Sequence, residues 1–212
     1  RVSAETKTLG RLEAFKHALT RPVLVLLLSL FFLVTAAFSS FEATFALFSE
    51  ARFGFTSTSI GFLFAFIGVV LATIQGVLVH KVVKRVGEAR LVPIAIFCIA
   101  LGIGMVPFAW SVPTLLVALG VLAVGMGFNN PSLTSMVSRL SDANDQGGIL
   151  GLASSLASLG RVIGPAWGGF LYDSYGMTTP YLSASGLMLI AFAVSFVGLS
   201  RLRHETHAPA RG

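Results

Sequence analysis

Long runs of apolar residues, separated by short polar segments, occupy most of this chain. A membrane-spanning helix needs about 20 predominantly apolar residues, and six runs of about that length or more are present. The predicted spans are residues 22–48, 59–79, 91–110, 114–137, 148–171 and 181–199. The break around Trp110 and Pro113 divides an otherwise uncharged stretch into two helices, with Trp110 as an interfacial anchor. The pattern therefore predicts an all-α, polytopic membrane protein with six transmembrane helices.

Polar segments flank the predicted membrane domain, which covers residues 22–199. In residues 1–21, apolar residues recur every three or four positions between charged ones. This spacing favours a short helix lying on the membrane surface over a plain cytoplasmic linker. Residues 200–212 are a predicted cytoplasmic tail. The chain opens on polar residues without a methionine or a signal-peptide pattern, so we expect it to be cut from a longer protein.

Composition and charge place the chain in the membrane and orient it. Apolar residues make up 55% of the chain and charged residues only 11%, against about 25% charged residues in soluble domains. Of the 15 Lys and Arg residues, all but Arg52 and Arg161 fall on the side that holds both predicted termini. The positive-inside rule therefore predicts a multi-pass protein of the plasma membrane with both termini cytoplasmic. The net charge of +6 is distributed between spans, which argues against a nucleic-acid partner.

Several other functional classes lack their required residues. The single cysteine, Cys98, excludes an intrachain disulfide framework and makes a metal site very improbable, and we expect no cofactor. An intramembrane protease would need a Gly-x-Ser-Gly segment and a histidine within a distant span, whereas only His80 borders a span. A water channel would need two Asn-Pro half-helices, and a voltage sensor a ladder of arginines. The sequence thus favours a transport protein over an enzyme.

Two charged residues, Glu42 and Arg161, lie inside predicted spans that otherwise carry no charge. A charge at the centre of a span costs about 2.5–3.5 kcal/mol on insertion scales, so such residues suggest function by default. Glu42 could exchange a proton in a cavity, unless the first span ends near Phe41 and leaves it among lipid headgroups. Arg161 keeps its charge and needs a carboxylate, carbonyls or an anionic substrate, unless it is only a structural anchor. Counted along the helices, the two lie about 10 Å apart in depth, which leaves open whether they pair.

Two amides precede a proline in the fourth predicted span. Pro131 removes a backbone hydrogen bond, so we expect the helix to be interrupted here. Asn129 and Asn130 either satisfy the freed backbone groups or bind substrate in a cavity. Gln75, near the cytoplasmic end of the second span, is a further candidate.

Short motifs follow one another in a specific order along the chain. They are FSEARFGFTSTSIG at 48–61, QG at 75–76, KRVGE at 84–88, PSLTSMVSR at 131–139, QG at 146–147, Gly151, and GRVIGP at 160–165. Together they resemble the C-terminal half of a major facilitator superfamily transporter, with the closest likeness to the proton-coupled drug exporters that include the tetracycline exporters. The resemblance covers about residues 9–201. It implies helices 7–12 of a twelve-helix transporter, in two inverted three-helix repeats at 22–110 and 114–199.

The resemblance also implies a function. A half of this kind would take part in proton-coupled export of a small lipophilic compound by alternating access. Its partners would be the N-terminal six-helix half, the lipid bilayer, the substrate and protons. Tetracycline exporters carry an acidic residue in the helix corresponding to residues 91–110, where this chain has none, so Glu42 is the available acid. The alternatives are a sugar or metabolite transporter of the same superfamily, or a transport-inactive scaffold or sensor.

The fifth predicted span is rich in small residues spaced by four. Gly151, Gly160, Gly164 and Gly168, with Pro165 beside them, follow the small-xxx-small pattern that lets helices approach closely. We expect these glycines to pack against the missing half.

The loop after the second span resembles a motif of the same family. Gly76, His80, Arg85 and Gly87 lie in a glycine turn with basic residues, although the acid often found near the position of His80 is lacking. The loop is either a gating latch or a basic surface that touches anionic lipid.

Overall fold

The computed structural model describes residues 20–142 and 145–205 of the chain. Six helices in this part are long and apolar enough to cross a membrane, which confirms the all-α, polytopic fold. They are α1 (Pro22–Phe53), α2 (Ser57–Val86), α3 (Glu88–Phe108), α4 (Val112–Leu140), α5 (Gln146–Tyr175) and α6 (Thr179–Glu205). The predicted surface helix before residue 20 lies outside the described residues and stays a prediction, as does the tail beyond residue 205.

The helices extend beyond the apolar runs that predicted them. α1 continues past position 48 to Phe53, and α6 continues through the predicted boundary at 199 to Glu205. Their ends are set by backbone geometry rather than by the last apolar residue. Three glycines with positive φ follow the ends of α1, α2 and α5: Gly54 (66°), Gly87 (79°) and Gly176 (96°). Residues with a Cβ rarely adopt this conformation, so a glycine here permits a sharp helix stop.

The expected interruption of the fourth span is wrong. α4 is one continuous helix from Val112 to Leu140 with Pro131 inside it. A proline removes a single backbone donor, and transmembrane helices tolerate that loss when other groups compensate. The carbonyl that loses its donor is that of Gly127, four residues before Pro131, and the helix continues through the position.

The helices pack in a two-fold pattern. α1 packs on α5 and α6, α4 packs on α2 and α3, and α3 packs on α6. Exchanging α1–α3 with α4–α6 maps these pairs onto one another, as two three-helix repeats require. An odd number of spans per repeat turns the second repeat over in the membrane, so the repeats are inverted. The apolar core lies between α1, α3, α4 and α6, where residues such as Phe45, Ile96, Leu119 and Met188 are fully buried.

The glycines of α5 pack against α1 of this chain, and not against a missing half as expected. A Cβ on Gly160 would lie 2.9 Å from the carbonyl oxygen of Phe32, and a Cβ on Gly168 would lie 3.0 Å from that of Ser40. Gly164 is equally tight against α1. Gly151 has open surroundings instead. The reason is helical periodicity, because nine residues at 100° each place Gly151 half a turn away from Gly160.

Candidate functional site

A partly open cavity of about 680 Å³ lies between α1, α2, α4 and α5. Its volume falls within the range of small-molecule sites, about 300–1,000 Å³. Phe31, Phe38, Leu71 and Met126 give it apolar walls. Its polar lining residues are Thr35, Ser39, Glu42, Gln75, Asn130, Thr134, Ser154 and Arg161. The cavity therefore combines a lipophilic surface with two opposite charges and several hydrogen-bonding groups.

Glu42 and Arg161 both line this cavity, from α1 and α5 respectively. α1 continues past Glu42 for more than two turns to Phe53, so Glu42 lies in the interior of a 32-residue helix. Neither residue takes part in an ion pair within residues 20–142 and 145–205. Charges at membrane depth are tolerated where they face a bundle interior or a water-filled cavity.

The glycine contacts between α1 and α5 fix the difference in depth between the backbone positions of Glu42 and Arg161. Gly160, the residue before Arg161, packs against Thr35 and Ala36 of α1. Glu42 lies six residues beyond Ala36, which corresponds to about 9 Å of helical rise. α1 and α5 run in the same direction across the bundle, so this offset is a difference in depth. The two side chains share a cavity, and their backbone positions stand at different depths along it.

The two asparagines of α4 are separated. Asn130 lines the cavity. Asn129 is fully buried, and both polar atoms of its amide lack a hydrogen-bond partner among the described residues. It lies one turn after Gly125, whose backbone abuts Ala95 and Ile99 of α3. Consecutive residues on a helix point about 100° apart, so the adjacent pair could not both face the cavity.

Gln75 reaches the cavity from an irregular turn of α2. Residues Ile74–Leu78 form a π-helical turn, closed by a bond from the amide of Val79 to the carbonyl of Ile74. π-turns occur frequently at functional sites. Ile74 is buried against Gly127 of α4, and the next residue, Gln75, lines the cavity.

The predicted loop motif does not reach the cavity. Gly76, His80, Arg85 and Gly87 are all exposed, and none lines the site. Gly87 instead forms the sharp connection between α2 and α3.

Sequence reasoning missed two ion pairs at the basic end of the bundle. Glu88 at the start of α3 pairs with Arg139 of α4 at 3.4 Å and accepts a hydrogen bond from Ser135 at 2.6 Å. Arg21 pairs with Asp142 at 2.9 Å and donates to the carbonyl of Leu140 at 2.9 Å. The first pair ties α3 to α4, and the second ties the start of α1 to the end of α4. The sequence signal for these ion pairs was the presence of acidic residues beside the predicted spans, on the side of the membrane where the basic residues collect.

The hydroxyl residues of the cavity were also missed. Thr35, Ser39 and Glu42 follow one another at helical spacing on α1, and Ser154 and Arg161 do so on α5. This polar spacing around each charge would have identified them. No group of three His, Cys, Asp or Glu side chains that could hold a metal ion occurs in the described part of the chain.

Comparison with known proteins identifies the family to which the sequence is similar. The family model of the Major Facilitator Superfamily matches residues 2–128 and 82–212. Multidrug resistance protein 2 of Bacillus subtilis (strain 168) is 28% identical over 124 residues, which cover 58% of this chain and 30% of the relative. Major facilitator superfamily domain-containing protein 10 of Mus musculus is 31% identical over 133 residues, covering 63% and 28%. The human synaptic vesicular amine transporter is 28% identical over 105 residues, covering 48% and 20%.

A solved structure is similar over most of the chain. The crystal structure of the human organic anion transporter MFSD10 (TETRAN) superposes with a TM-score of 0.74 at 28% sequence identity. The match covers 80% of this chain and 40% of that protein. The chain thus spans about a third of the curated relatives and less than half of this structure.

Proposed function

The chain belongs to the Major Facilitator Superfamily, and from this premise we propose that it forms half of a proton-coupled exporter of small lipophilic compounds. The family consists of transporters and not of enzymes. Six apolar helices make the chain part of a multi-pass membrane protein. The chain matches only a fraction of its relatives' length. The activity, substrate and coupling ion of the whole protein are therefore proposed here.

The observation that carries the proposal is the placement of Glu42. Among the described residues that line the cavity between α1, α2, α4 and α5, it is the only carboxylate and Arg161 is the only cation. With Glu42 ionised, the two charges balance; with Glu42 protonated, the cavity is left positive. A lipophilic cation would bind the first state and be expelled from the second. Uptake of a proton by Glu42 then drives release of the substrate, so that protons and substrate cross the membrane in opposite directions, which is antiport.

The proposed partner is a second six-helix half, and the cavity between them is exposed alternately by rocking. Gly151 and Ser155 lie on a face of α5 that is exposed in this half and carries small side chains. We assign the expected packing against the other half to this face, and not to Gly160, Gly164 and Gly168. The basic residues at one end of the bundle support an orientation in the plasma membrane with that end facing the cytoplasm.

Arg161 favours a second candidate, the transport of an organic anion. It is exposed in the cavity and makes no ion pair within the described residues, so it could bind a carboxylate or sulfonate directly. In this case protonation of Glu42 would promote substrate binding rather than release. The similar human structure is described as an organic anion transporter. A sugar or metabolite cargo, and a transport-inactive scaffold, are the remaining alternatives.

The test uses the full-length protein in inside-out vesicles that hold a pH gradient. Lipophilic cations and organic anions are added singly, and substrate-induced proton efflux is recorded. We expect efflux with a lipophilic cation, lost in Glu42→Gln and kept in Glu50→Gln. Glu50 is the matched control because it is an exposed acid on the same helix that does not line the cavity.

Each result assigns one of the candidates. Cation-induced efflux that survives in Glu42→Gln would refute Glu42 as the proton carrier. Transport of an anion, lost in Arg161→Gln, would establish the second candidate. Absence of transport with either class would favour another cargo or a scaffold.

A further inference from the structure

A second groove lies between α3 and α6, at the basic end of the bundle. Its volume is about 350 Å³, and none of its lining residues belongs to the cavity that contains Glu42. The walls are apolar except at the end where Arg90 and Ser200 lie. This groove is separate from the cavity in which we place the transport site.

The groove has a closed apolar end and a polar mouth. α3 starts at the basic end of the bundle and α6 finishes there, so Arg90 and Ser200 lie at the same end. The rings of Phe97 and Phe192 meet at the far end with centroids 5.3 Å apart. From Arg90 to Phe97 the helix rises by about 10 Å. The groove therefore runs from the membrane surface inward along the direction of a lipid chain.

The outer wall of the groove is built to contact hydrocarbon. Ile94, Phe97 and Phe196 are 50%, 42% and 56% exposed, on helices long and apolar enough to cross a membrane. In the bilayer such side chains meet acyl chains rather than water. Lipid is thus the component of the surroundings that already lies against this groove.

The charge at the mouth is available for an anion. Arg90 is exposed and has no acidic partner among the described residues, whereas Arg21 and Arg139 each form an ion pair. Pro93 also lines the groove and has no amide hydrogen, so the carbonyl of Ala89 lacks its usual donor four residues on. A cation at the mouth of an apolar groove matches a phosphodiester attached to an acyl chain.

We propose that this groove binds one anionic glycerophospholipid. Its phosphate is bound by Arg90, and one acyl chain lies along Ile94 as far as Phe97. Basic pockets between transmembrane helices are known to select anionic headgroups. The proposal depends on the membrane location of the chain and not on its cargo.

The test measures lipid binding to the purified full-length protein by native mass spectrometry. Dioleoyl phosphatidylglycerol and dioleoyl phosphatidylcholine are titrated separately, so that only the headgroup differs. We expect one phosphatidylglycerol to bind about tenfold more tightly than phosphatidylcholine, because the choline cation of phosphatidylcholine is repelled by Arg90. Arg90→Gln should remove this preference, and Arg90→Lys should keep most of it. Ile94→Trp, which fills the groove, should weaken the binding of both lipids.

The controls separate this site from general attraction to a basic surface. Lys84→Gln removes an exposed charge nearby that lines neither cavity, and it should leave the preference unchanged. Equal loss in Lys84→Gln and Arg90→Gln would overturn the proposal. Binding unaffected by Ile94→Trp would also overturn it, because it would show that no acyl chain occupies the groove. A protein dimer disrupted by Ile94→Trp, with lipid binding unchanged, would assign the groove to a second copy of the chain instead.

Discussion

Replacing Gly164 by alanine should destabilise the protein through the contact between α1 and α5. An added Cβ would overlap the carbonyl oxygen of Ala36, and would lie 2.9 Å from the Cβ of Ser39 and 3.0 Å from the amide nitrogen of Ser40. Two of these three atoms belong to the backbone of α1, so no side-chain rotation relieves them. The helices would have to separate until the contacts reached about 3.5 Å, the start of ordinary carbon contact distances.

The magnitude follows from two opposing terms. Alanine is a better helix former than glycine by up to about 1 kcal/mol. Overpacking a close interface costs about 1–3 kcal/mol. Gly169→Ala is the matched control, because Gly169 lies on the same helix and a Cβ there would meet nothing within 4 Å. Both variants gain the propensity term and only Gly164→Ala has the overpacking cost, so their stabilities should differ by about 1–3 kcal/mol.

The assay is thermal unfolding of the full-length protein in detergent, followed by tryptophan fluorescence. Gly164→Ala should unfold at a lower temperature than Gly169→Ala, by at least about 2 °C. It should also impair transport, because the same contact sets the offset between Glu42 and Arg161. A Gly164→Ala protein as stable as Gly169→Ala would refute the packing of α5 on α1 described above.

Three further predictions concern the residues around the cavity and the basic end of the bundle. Asn129→Leu should be neutral or stabilising by up to about 2 kcal/mol in the same unfolding assay, because it removes a buried amide that has no partner among the described residues. Asn130→Ala should instead reduce substrate binding without changing stability. Lost substrate binding in Asn129→Leu, with binding kept in Asn130→Ala, would exchange the roles of the two residues. Glu88→Gln should lower stability by about 1 kcal/mol or more, because Glu88 accepts a hydrogen bond from Ser135 and forms an ion pair with Arg139 while its own side chain is only 11% exposed. An unchanged unfolding temperature would contradict this. A double-mutant cycle on Arg21→Gln and Asp142→Asn should give a coupling free energy between the two residues of only about 0.2–1 kcal/mol, since both side chains are well exposed. A larger coupling free energy would indicate that the pair is shielded from solvent in the whole protein.

The apolar runs predicted the fold because a membrane leaves few alternatives. With no water in the bilayer core, each long apolar run has to form a helix that satisfies its own backbone. The helix ends were less predictable, since Gly54 and Gly87 set them through backbone conformation and not through hydropathy. The charges Glu42 and Arg161 were found because a charge within a span is rare enough to need a reason.

The partners of each helix face could not be predicted from the same pattern. Gly151 and Gly160 carry the same spacing signal, yet they lie on opposite faces of α5, one open and one packed on α1. Asn129 and Asn130 are identical residues in adjacent positions, and only one lines the cavity. Spacing identifies which residues share a face, but the rotation of each helix in the bundle decides what that face meets.

The offset between Glu42 and Arg161 decides how strongly a proton could control cation binding. At an effective dielectric constant of about 20, a substrate cation placed 4 Å from the Glu42 carboxylate would gain about 4 kcal/mol, and if the Arg161 guanidinium stood about 9 Å from that cation it would lose about 2 kcal/mol. The ionised cavity therefore attracts the cation by about 2 kcal/mol, and protonation of Glu42 leaves only the repulsion. The change of about 4 kcal/mol corresponds to an affinity change of nearly a thousandfold. Had the two charges formed a close ion pair, the cation would have met nearly cancelling fields, and protonation would first have had to break that pair. In the proposed antiport, a substrate cation held nearer to Glu42 than to Arg161 would thus let the proton on Glu42 control its binding.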